Sequence, residues 1–563
     1  MKTGTVITAC AFVALLLSAA AGAQNQTPPL GLTKIPAPDG SSDFGGQALD
    51  AQGNVFGGAQ LSSGFNLIKW IGGTTPVAYP RLPADQNNTG IGYSFSAVNA
   101  AGLVVGLAGA EQFPFTSKGI YWDASKHPFA VAQSGELHGI SDSGVIAGQL
   151  GRSTGSTAAY WASPSSQPVL LPYPTQIDCA VDPEKDCYSW TSAISPNGKY
   201  IVGASSRGDY HSDMGILWAN GTQVANYSDW DVIGSRVTNA GVVIGSHRTP
   251  FESDTPPELY KGHAFIWEAG TLTDLGCLPG APPDTTFRSN ATAINSSGVI
   301  VGSSEWSQTS YVRHAVMWVN GQIIDLNSSL GSQLPAGWTL ESAIDINDAG
   351  EILLLASNDE TSDFATYLAK PLITTHTTIT SNINPSTYGQ QIHLIAKVSP
   401  DSGPVPTVGN VSWYDNGVLL GTARLTSIGT SSWEPSTWTG GVHEVTAEFP
   451  GSSTLGTSTS PIFKQTVNAA STRTTVSASI NPATHGQPVQ LIATVVPSSG
   501  TIAGTVTFKS GSSVLGTGTL DGRTKQAYFT TTFAKGTYAI TAVFGGSQNF
   551  VASNSSTLTL TVK

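Results

Sequence analysis

The chain has 563 residues, of which 11% are charged, and its 25 basic and 37 acidic residues give a formal net charge of −12. This length exceeds what one hydrophobic core supports, so several domains are expected. The acidic balance argues against nucleic acid or an anionic membrane as a general partner. With 62 glycines and 33 prolines, the composition favours short strands joined by many turns, which predicts an all-β fold.

Residues 1–23 predict a secretory signal peptide. Lys2 precedes an apolar stretch from Ile7 to Leu17, and Ala21-Gly22-Ala23 offers the small residues of a cleavage site. No later segment reaches the roughly 18 apolar residues that span a bilayer, so no transmembrane segment is expected in the mature chain. We therefore expect a secreted or cell-surface protein, with the periplasm as the alternative location.

A ten-residue phrase recurs seven times between Ala48 and Leu354, and it is clearest as A-I-N-S-S-G-V-I-V-G from Ala293. Each copy has two short apolar segments around a tight turn, which predicts a β-hairpin. The copies begin at Ala48, Ala97, Gly139, Ala193, Arg236, Ala293 and Asp345, and they share Gly53, Gly102, Gly144, Gly198, Gly241, Gly298 and Gly350. A period of about 50 residues is typical of propeller blades or repeat arrays.

Each phrase is followed by a third predicted strand that ends in an aromatic residue and then by a fourth strand. The aromatic residues are Trp70, Trp122, Trp161, Trp218, Trp267, Trp318 and, in the last copy, Tyr367. Four strands per unit predict a propeller blade. The last unit has only three strands before residue 370, whereas G-L-T-K-I-P from Gly31 resembles a fourth strand. We therefore expect residues 24–370 to form a seven-bladed β-propeller whose last blade is completed by this N-terminal strand, which leaves no exposed edges.

A second repeat follows, with T-T-I-T-S-N-I-N-P-S-T-Y-G-Q from Thr377 matching T-T-V-S-A-S-I-N-P-A-T-H-G-Q from Thr474. Alternating apolar and polar residues with frequent turn signals predict two small β-sandwiches, at 371–468 and 469–563.

Both halves resemble known bacterial repeats. G-H-A-F-I-W from Gly262, R-H-A-V-M-W from Arg313 and T-D-L-G-C-L-P-G from Thr273 resemble the extracellular HAF repeat, which implies a β-propeller and a secreted location but no established activity. The N-P-x-x-x-G-Q and F-x-G-S motifs of the tail resemble bacterial Ig-like repeats, which implies spacers or adhesive modules.

The binding surface is expected at the long links, because the short turns inside the phrase and after the aromatic residue lie together at the other end of each blade. Aromatic and arginine side chains are the usual anchors of recognition surfaces. The candidates are Trp190, Tyr210, His211, Arg288, Trp306, Tyr311 and Trp338. They predict an extracellular carbohydrate or protein ligand.

One acidic loop is a candidate for Ca²⁺, although a solvated loop is the simpler interpretation because the EF-hand spacing is absent. Its carboxylates are Asp178, Asp182, Glu184 and Asp186. Cys179 and Cys187 flank it and predict a disulfide in an oxidising compartment. No other cofactor is indicated.

No catalytic residue is predicted. The G-x-S-x-G of Gly151–Gly155 precedes a strand where a nucleophile elbow needs a helix. His263 and His314 occupy equivalent positions without completing a metal ligand set. The sequence therefore favours a non-enzymatic interaction protein, with two alternatives left open: a polysaccharide hydrolase or lyase with carboxylates at the propeller mouth, and a structural matrix component.

Overall fold

The chain divides into two compact units, Met1–Leu372 (unit 1) and Ile373–Lys563 (unit 2), and its described residues are mostly in β-strands. The computed structural model describes residues 29–41, 43–86, 88, 90–110, 118–131, 133, 135–152, 155–174, 187–207, 214–227, 232–249, 261–279, 288–306, 312–435 and 438–563. The predicted signal peptide lies outside these residues. Within them there is one α-helix, α1 (Leu326–Leu330), and two 3-10 turns, Pro83–Asp85 and Gly331–Gln333. None of the described helices is long and apolar enough to span a bilayer.

Unit 1 contains seven antiparallel sheets of four strands, which we number sheet 1 to sheet 7. Sheet 1 is β2 (Phe44–Leu49), β3 (Val55–Leu61), β4 (Gly64–Ile71) and β5 (Thr75–Ala78). Sheet 2 is β6 (Ile91–Val98), β7 (Val104–Ala110), β8 (Lys118–Trp122) and β9 (Pro128–Ala130). Sheet 3 is β10 (Leu137–Ile140), β11 (Ile146–Arg152), β12 (Gly155–Trp161) and β13 (Val169–Leu170). Sheet 4 is β14 (Cys187–Ile194), β15 (Tyr200–Arg207), β16 (Met214–Ala219) and β17 (Thr222–Asn226).

Sheet 5 is β18 (Val232–Val237), β19 (Val243–Thr249), β20 (Lys261–Glu268) and β21 (Thr271–Gly276). Sheet 6 is β22 (Ser289–Ile294), β23 (Ile300–Glu305), β24 (Arg313–Val319) and β25 (Gln322–Asp325). Sheet 7 is β26 (Trp338–Ile346), β27 (Ile352–Asn358), β28 (Asp363–Pro371) and, as its outer strand, β1 (Leu30–Lys34).

The N-terminal strand pairs with the last repeat, as its sequence predicted. β1 runs antiparallel to β28 with Leu32 opposite Ala369. The chain then continues to Ile35, which is fully buried and packs in one cluster with residues of sheets 1 and 7. Sheet 7 therefore has four strands only because residues from the two ends of unit 1 meet.

The phrase turns share one hydrogen-bond pattern. The side-chain oxygen of the third phrase residue accepts a backbone N–H at 2.9 to 3.2 Å from the residue that starts the second segment. The seven acceptors are Asp50, Asn99, Ser141, Ser195, Thr238, Asn295 and Asn347. The shared glycine has φ between +73° and +84° in every copy, a conformation that only glycine adopts without strain. This geometry fixes where each hairpin reverses.

Polar bonds also connect the turns of successive sheets. Asn99 Nδ2 donates to the Ser141 carbonyl at 2.9 Å, and the Asn197 amide donates to Asn239 Oδ1 at 2.8 Å. Sheet 7 is joined to sheet 1 in the same way, through Asn347 Nδ2 and the Asp50 carbonyl at 3.1 Å.

The six tryptophans near the ends of the third strands also join neighbouring sheets. All six are buried. Four of the indole N–H groups donate, at 2.8 to 3.0 Å, to a carbonyl in or just after the outer strand of the preceding sheet. These pairs are Trp70 with Pro36, Trp122 with Pro80, Trp218 with Pro172 and Trp318 with Leu275. Each such tryptophan therefore both fills the core and binds the adjacent sheet.

The assignment of Tyr367 to the tryptophan position was wrong. Trp318 pairs with Ile300 across β23 and β24, and the corresponding Ile352 pairs with Ala369. Tyr367 lies two residues earlier, opposite Leu354. The small, buried Ala369 therefore occupies the position that Trp318 fills in sheet 6.

Every first strand of the seven sheets carries a β-bulge immediately before the phrase. The extra residues are Gln47, Ser96, His138, Ser192, Ser235, Thr292 and Ile344. Some of these side chains contact the next sheet: His138 Nδ1 lies 3.3 Å from Thr191 Oγ1, and Thr292 Oγ1 donates to the Ala343 carbonyl. A bulge re-aims a side chain that regular pleating would direct elsewhere.

Unit 2 contains two sandwiches with the same strand order, except that the first has one additional short strand, β30. The first has a sheet of β29 (Thr375–Ser381), β31 (Leu394–Pro400) and β34 (Thr430–Trp433), facing β30 (Ser386–Thr387), β37 (Phe463–Asn468), β35 (Gly441–Phe449), β32 (Asn410–Asp415) and β33 (Val418–Arg424), with β36 (Ser458–Thr459) on β35. The second has β38 (Thr472–Ala478), β39 (Pro488–Pro497) and β42 (Gln526–Thr532), facing β41 (Ser513–Thr519), β40 (Thr505–Ser510), β43 (Gly536–Phe544) and β44 (Ser553–Asn554), with β45 (Leu558–Val562) on β43. Buried Trp413 and Phe449 centre the first core, and Phe508 and Phe544 the second.

Replacing Ile35 with alanine should destabilise unit 1 by about 2–5 kcal/mol, because the buried side chain leaves a cavity between sheets 1 and 7. Calorimetry of the full chain would show a lower first-unit transition. Asp39→Ala, at an exposed position nearby, is the control and should leave the melting profile unchanged. Equal profiles for both variants would contradict the packing role of this segment.

Candidate functional site

An exposed tryptophan on sheet 6 is held flat against a histidine. The Trp306 side chain is 47% exposed, and its ring lies parallel to that of His314, with centroids 5.0 Å apart and planes inclined by 8°. Its backbone N–H donates to the Val312 carbonyl at 2.9 Å. One face of the indole is thus covered by protein while the side chain stays open to solvent.

His314 is itself held in place by a mostly buried carboxylate. Its Nδ1 lies 2.8 Å from Asp325 Oδ2, and both side chains are mostly buried. Burial opposes ionisation of Asp325, but the hydrogen bonds from His314 and from the Asn327 backbone outweigh it and hold the pKa of this carboxyl below its usual value. Asp325 also caps α1 through the Asn327 N–H at 2.8 Å. The series of contacts from Trp306 through His314 to Asp325 is therefore anchored to β25 and α1.

Two charged residues, Arg288 and Glu305, face each other at the end of sheet 6, where Glu305 directly precedes Trp306 in the chain. The Glu305 N–H donates to the Arg288 carbonyl at 2.8 Å, and the Arg288 N–H donates to Glu305 Oε2 at 3.1 Å. Arg288 is exposed. We call Arg288, Glu305, Trp306, His314 and Asp325 the Trp306 cluster. It lies at the end of sheet 6 opposite the phrase turn, where the long links were expected to carry the binding surface.

The remaining described candidates belong to other sheets. Trp338 begins β26 opposite Asn358, with Lys34 Nζ 5.3 Å from its ring centroid. Trp190 pairs with Ala204 in sheet 4 and is partly buried. The structure therefore places Arg288 against Glu305, the residue before Trp306, and places Trp338 and Trp190 in sheets 7 and 4. Tyr210, His211 and Tyr311 lie outside the described residues.

The acidic loop also lies outside the described residues, with Asp178, Cys179, Asp182, Glu184 and Asp186. Cys187 begins β14 opposite Arg207, but its side chain is not among those described, so the disulfide and Ca²⁺ predictions remain predictions. In the described parts of the chain, no group of three or more His, Cys, Asp or Glu residues could hold a metal ion.

His263 repeats the His–Asp pairing one sheet earlier. Its Nδ1 lies 2.7 Å from Asp274 Oδ2. Hydrogen bonds to Asp274 and Cys277 raise the pKa of His263 to about 10, against a smaller opposing effect of burial. In sheets 5 and 6 the histidine and its aspartate are eleven residues apart, so this repeated spacing is a sequence signal for the pairing.

Comparison with known proteins identifies the second unit alone. Residues 379–468 and 475–563 each match the family model of the bacterial Ig-like domain, group 3. Domains of this kind are often extracellular or surface-located, and they are typical of modular interaction proteins. The resemblance of unit 1 to the HAF repeat remains a prediction. No curated protein matches the chain.

Similar solved structures are distant. The fibronectin(III)-like modules of Clostridium thermocellum CbhA share 16% identity, covering 33% of this chain and 92% of that one, with a TM-score of 0.15. Prolyl oligopeptidase B from Galerina marginata shares 10%, covering 66% of this chain and 58% of that one, with a TM-score of 0.38. The acylaminoacyl peptidase of Pyrococcus horikoshii shares 9%, covering 64% and 57%, with a TM-score of 0.34. The chain thus spans little more than half of either peptidase, and TM-scores this low say nothing about its activity.

Replacing Asp274 with asparagine should lower the pKa of His263 from about 10 towards the ordinary 6.5. Since the folded-state pKa is raised, the stability gained from this pair is fully present below about pH 6.5 and is lost as the pH rises through about 10. An NMR titration of the imidazole carbons measures the shift. Glu268→Gln, an equal charge change at the end of the same strand, should leave it in place. A His263 titration near 6.5 in the unmodified protein would contradict the pairing.

Proposed function

We propose that the chain is an exported, modular, non-catalytic interaction protein. In this proposal unit 1 is a seven-bladed β-propeller of HAF type, closed by β1, that binds carbohydrate at the Trp306 cluster, and unit 2 is an Ig-like stalk. The observation that carries the ligand assignment is the exposed indole of Trp306 held parallel to His314.

The propeller arrangement is supported by contacts between successive sheets. The first strand of each sheet contacts strands of the sheet before it, from sheet 1 through sheet 7. β2 of sheet 1 in turn contacts β26, β27 and β28 of sheet 7. The Leu49 N–H donates to Asp345 Oδ2 at 2.8 Å at this last junction. A chain of neighbours that returns to its first member is what a closed ring of blades requires.

Carbohydrate is favoured because of how the exposed ring is presented. A sugar ring offers an apolar C–H face and a polar rim of hydroxyls, so it matches a flat aromatic surface with hydrogen-bonding groups at its edge. Trp306 supplies the surface, and the exposed Arg288, whose backbone N–H is bound to Glu305, is the proposed source of hydrogen-bond donors. Because His314 and Asp325 already fix the ring, little side-chain entropy is lost on binding.

Export and display are supported by the composition of the chain. The apolar N-terminal segment with a small-residue cleavage site predicts secretion, and bacterial Ig-like domains are often found outside the cell. The proposed role is binding rather than turnover, so a polysaccharide that binds should be recovered without new reducing ends.

Trp306→Ala should weaken binding of the full chain to its glycan by at least about tenfold, since loss of a desolvated aromatic anchor typically exceeds 1.4 kcal/mol. A glycan array followed by titration calorimetry on the best glycan measures this. Phe129→Ala is the matched control, because Phe129 is 49% exposed on β9 and lies outside the cluster. It should bind as the unmodified chain does.

Three results would contradict the proposal. Binding of no glycan at millimolar concentration would exclude the ligand class and leave protein as the remaining one. Equal loss in both variants would exclude the cluster as the site. Release of reducing ends from a bound polysaccharide would show an enzyme instead.

A further inference from the structure

The two Ig-like domains are joined by a link that is both short and bound. β37 ends at Asn468 and β38 begins at Thr472, so three residues connect them. The central one, Ala470, is fully buried. Its N–H donates to the Asn549 carbonyl at 2.9 Å, and its carbonyl accepts from the Val551 N–H at 2.9 Å. The link is therefore part of the second domain's structure rather than a free tether.

An aromatic contact spans the two domains. Tyr388 of the first domain meets Phe550 of the second edge-to-face, with ring centroids 5.1 Å apart. Tyr388 packs against the hydrophobic cores of both sandwiches, and its carbonyl accepts a hydrogen bond from Ser499 Oγ. One side chain thus couples the two cores.

A second contact is polar and involves both backbone groups of one residue. The Gly440 N–H donates to Asn549 Oδ1 at 2.7 Å, and the Gly440 carbonyl accepts from Gln548 Nε2. Two hydrogen bonds at one residue restrict both the distance and the rotation between the two Ig-like domains.

The approach of the domains requires glycine. A Cβ at Gly440 would collide with the Gln548 carbonyl oxygen, and a Cβ at Gly389 would collide with the backbone of Gly500. The loop carrying Gly440 is held from within the first domain, where His443 Nε2 lies 3.0 Å from the Thr439 carbonyl and Trp438 stacks on the His443 ring at 4.4 Å. The receiving surface is therefore shaped before the second domain meets it.

The second domain does not repeat this surface. The two domains align so that Tyr388 corresponds to His485 and Gly389 to Gly486, and so that Gly440 corresponds to Lys535. All three second-domain residues are exposed. A lysine at the Gly440 position would place a side chain where the Gln548 carbonyl must lie, so the same contact cannot form there.

We propose that the face of the first Ig-like domain formed by Tyr388, Gly389 and Gly440 is a docking surface for the second domain. Docking fixes the pair in one orientation, so that it acts as a rigid spacer. The surface is directional, because the equivalent face of the second domain cannot take up another such domain. This inference concerns the stalk and does not depend on the carbohydrate proposal.

Hydrogen exchange of the full chain, read by mass spectrometry, tests the docking. In the unmodified protein the peptide covering 439–442 should be protected. Gly440→Lys should raise its exchange by about tenfold or more, the change that follows loss of one hydrogen bond worth about 1.4 kcal/mol. Lys535→Ala, at the equivalent position of the second domain, should change nothing. Unprotected 439–442 in the unmodified protein, or equal exchange in Gly440→Lys, would overturn the proposal.

Two further variants separate docking from folding of the first domain. Gly389 and Gly486 have similar positive φ, +85° and +73°, so alanine imposes the same backbone strain at both, but only Gly389 faces the other domain. Gly389→Ala should broaden the distribution of interdomain distances seen by small-angle scattering, whereas Gly486→Ala should not. If Gly440→Lys also deprotects β35, Asn549→Ala replaces it, since it removes the acceptor from the second domain. Equal scattering of the two glycine variants, or no change in Asn549→Ala, would overturn the proposal.

Discussion

A single short-range interaction underlies unit 1: a side-chain oxygen at the third phrase position accepts the backbone N–H that follows the turn, beside a glycine with positive φ. The bond replaces the solvent that would otherwise satisfy the amide and leaves the hairpin one place to reverse. Because side chains alternate along a strand, fixing the turn also fixes which residues of both strands enter the core.

Neighbouring sheets are then joined by three kinds of contact. Asparagine side chains link the turns, bulged residues link the first strands, and indole N–H groups reach back to the preceding outer strand. In the repeats where they occur, these contacts use equivalent chain positions, so they belong to the scaffold. The Trp306 cluster is not repeated in every sheet. It lies at the end of sheet 6 opposite the phrase turn. Variation is tolerated there because the turn bonds at the other end already set the register.

Much of this organisation could be predicted from local sequence. The phrase hairpins and the pairing of residues near 31–36 with the last repeat follow from recurring residue types and a missing strand. The bulges could not be predicted, since an extra residue becomes visible only when its partner strand is known. For the same reason Tyr367 was assigned to a position that Ala369 occupies.

The candidate site was predicted less completely. Arg288 and Trp306 were predicted as exposed anchors, but the stacking of Trp306 on His314 depends on the pairing of β23 with β24, which brings the two rings together. The docking of the Ig-like domains was invisible because Gly440 and Gly389 resemble ordinary turn glycines until a second domain lies against them.

The most direct test of the account is whether β1 occupies the outer edge of sheet 7 in the observed register. Oxidation of a Leu32→Cys/Ala369→Cys variant, followed by peptide mass spectrometry, measures this, because these residues face each other across β1 and β28. The account predicts efficient formation of the 32–369 disulfide and little cross-linking in the displaced Leu32→Cys/Tyr367→Cys variant. Equal cross-linking of both variants, or none, would contradict a unit 1 that closes through its N-terminal strand.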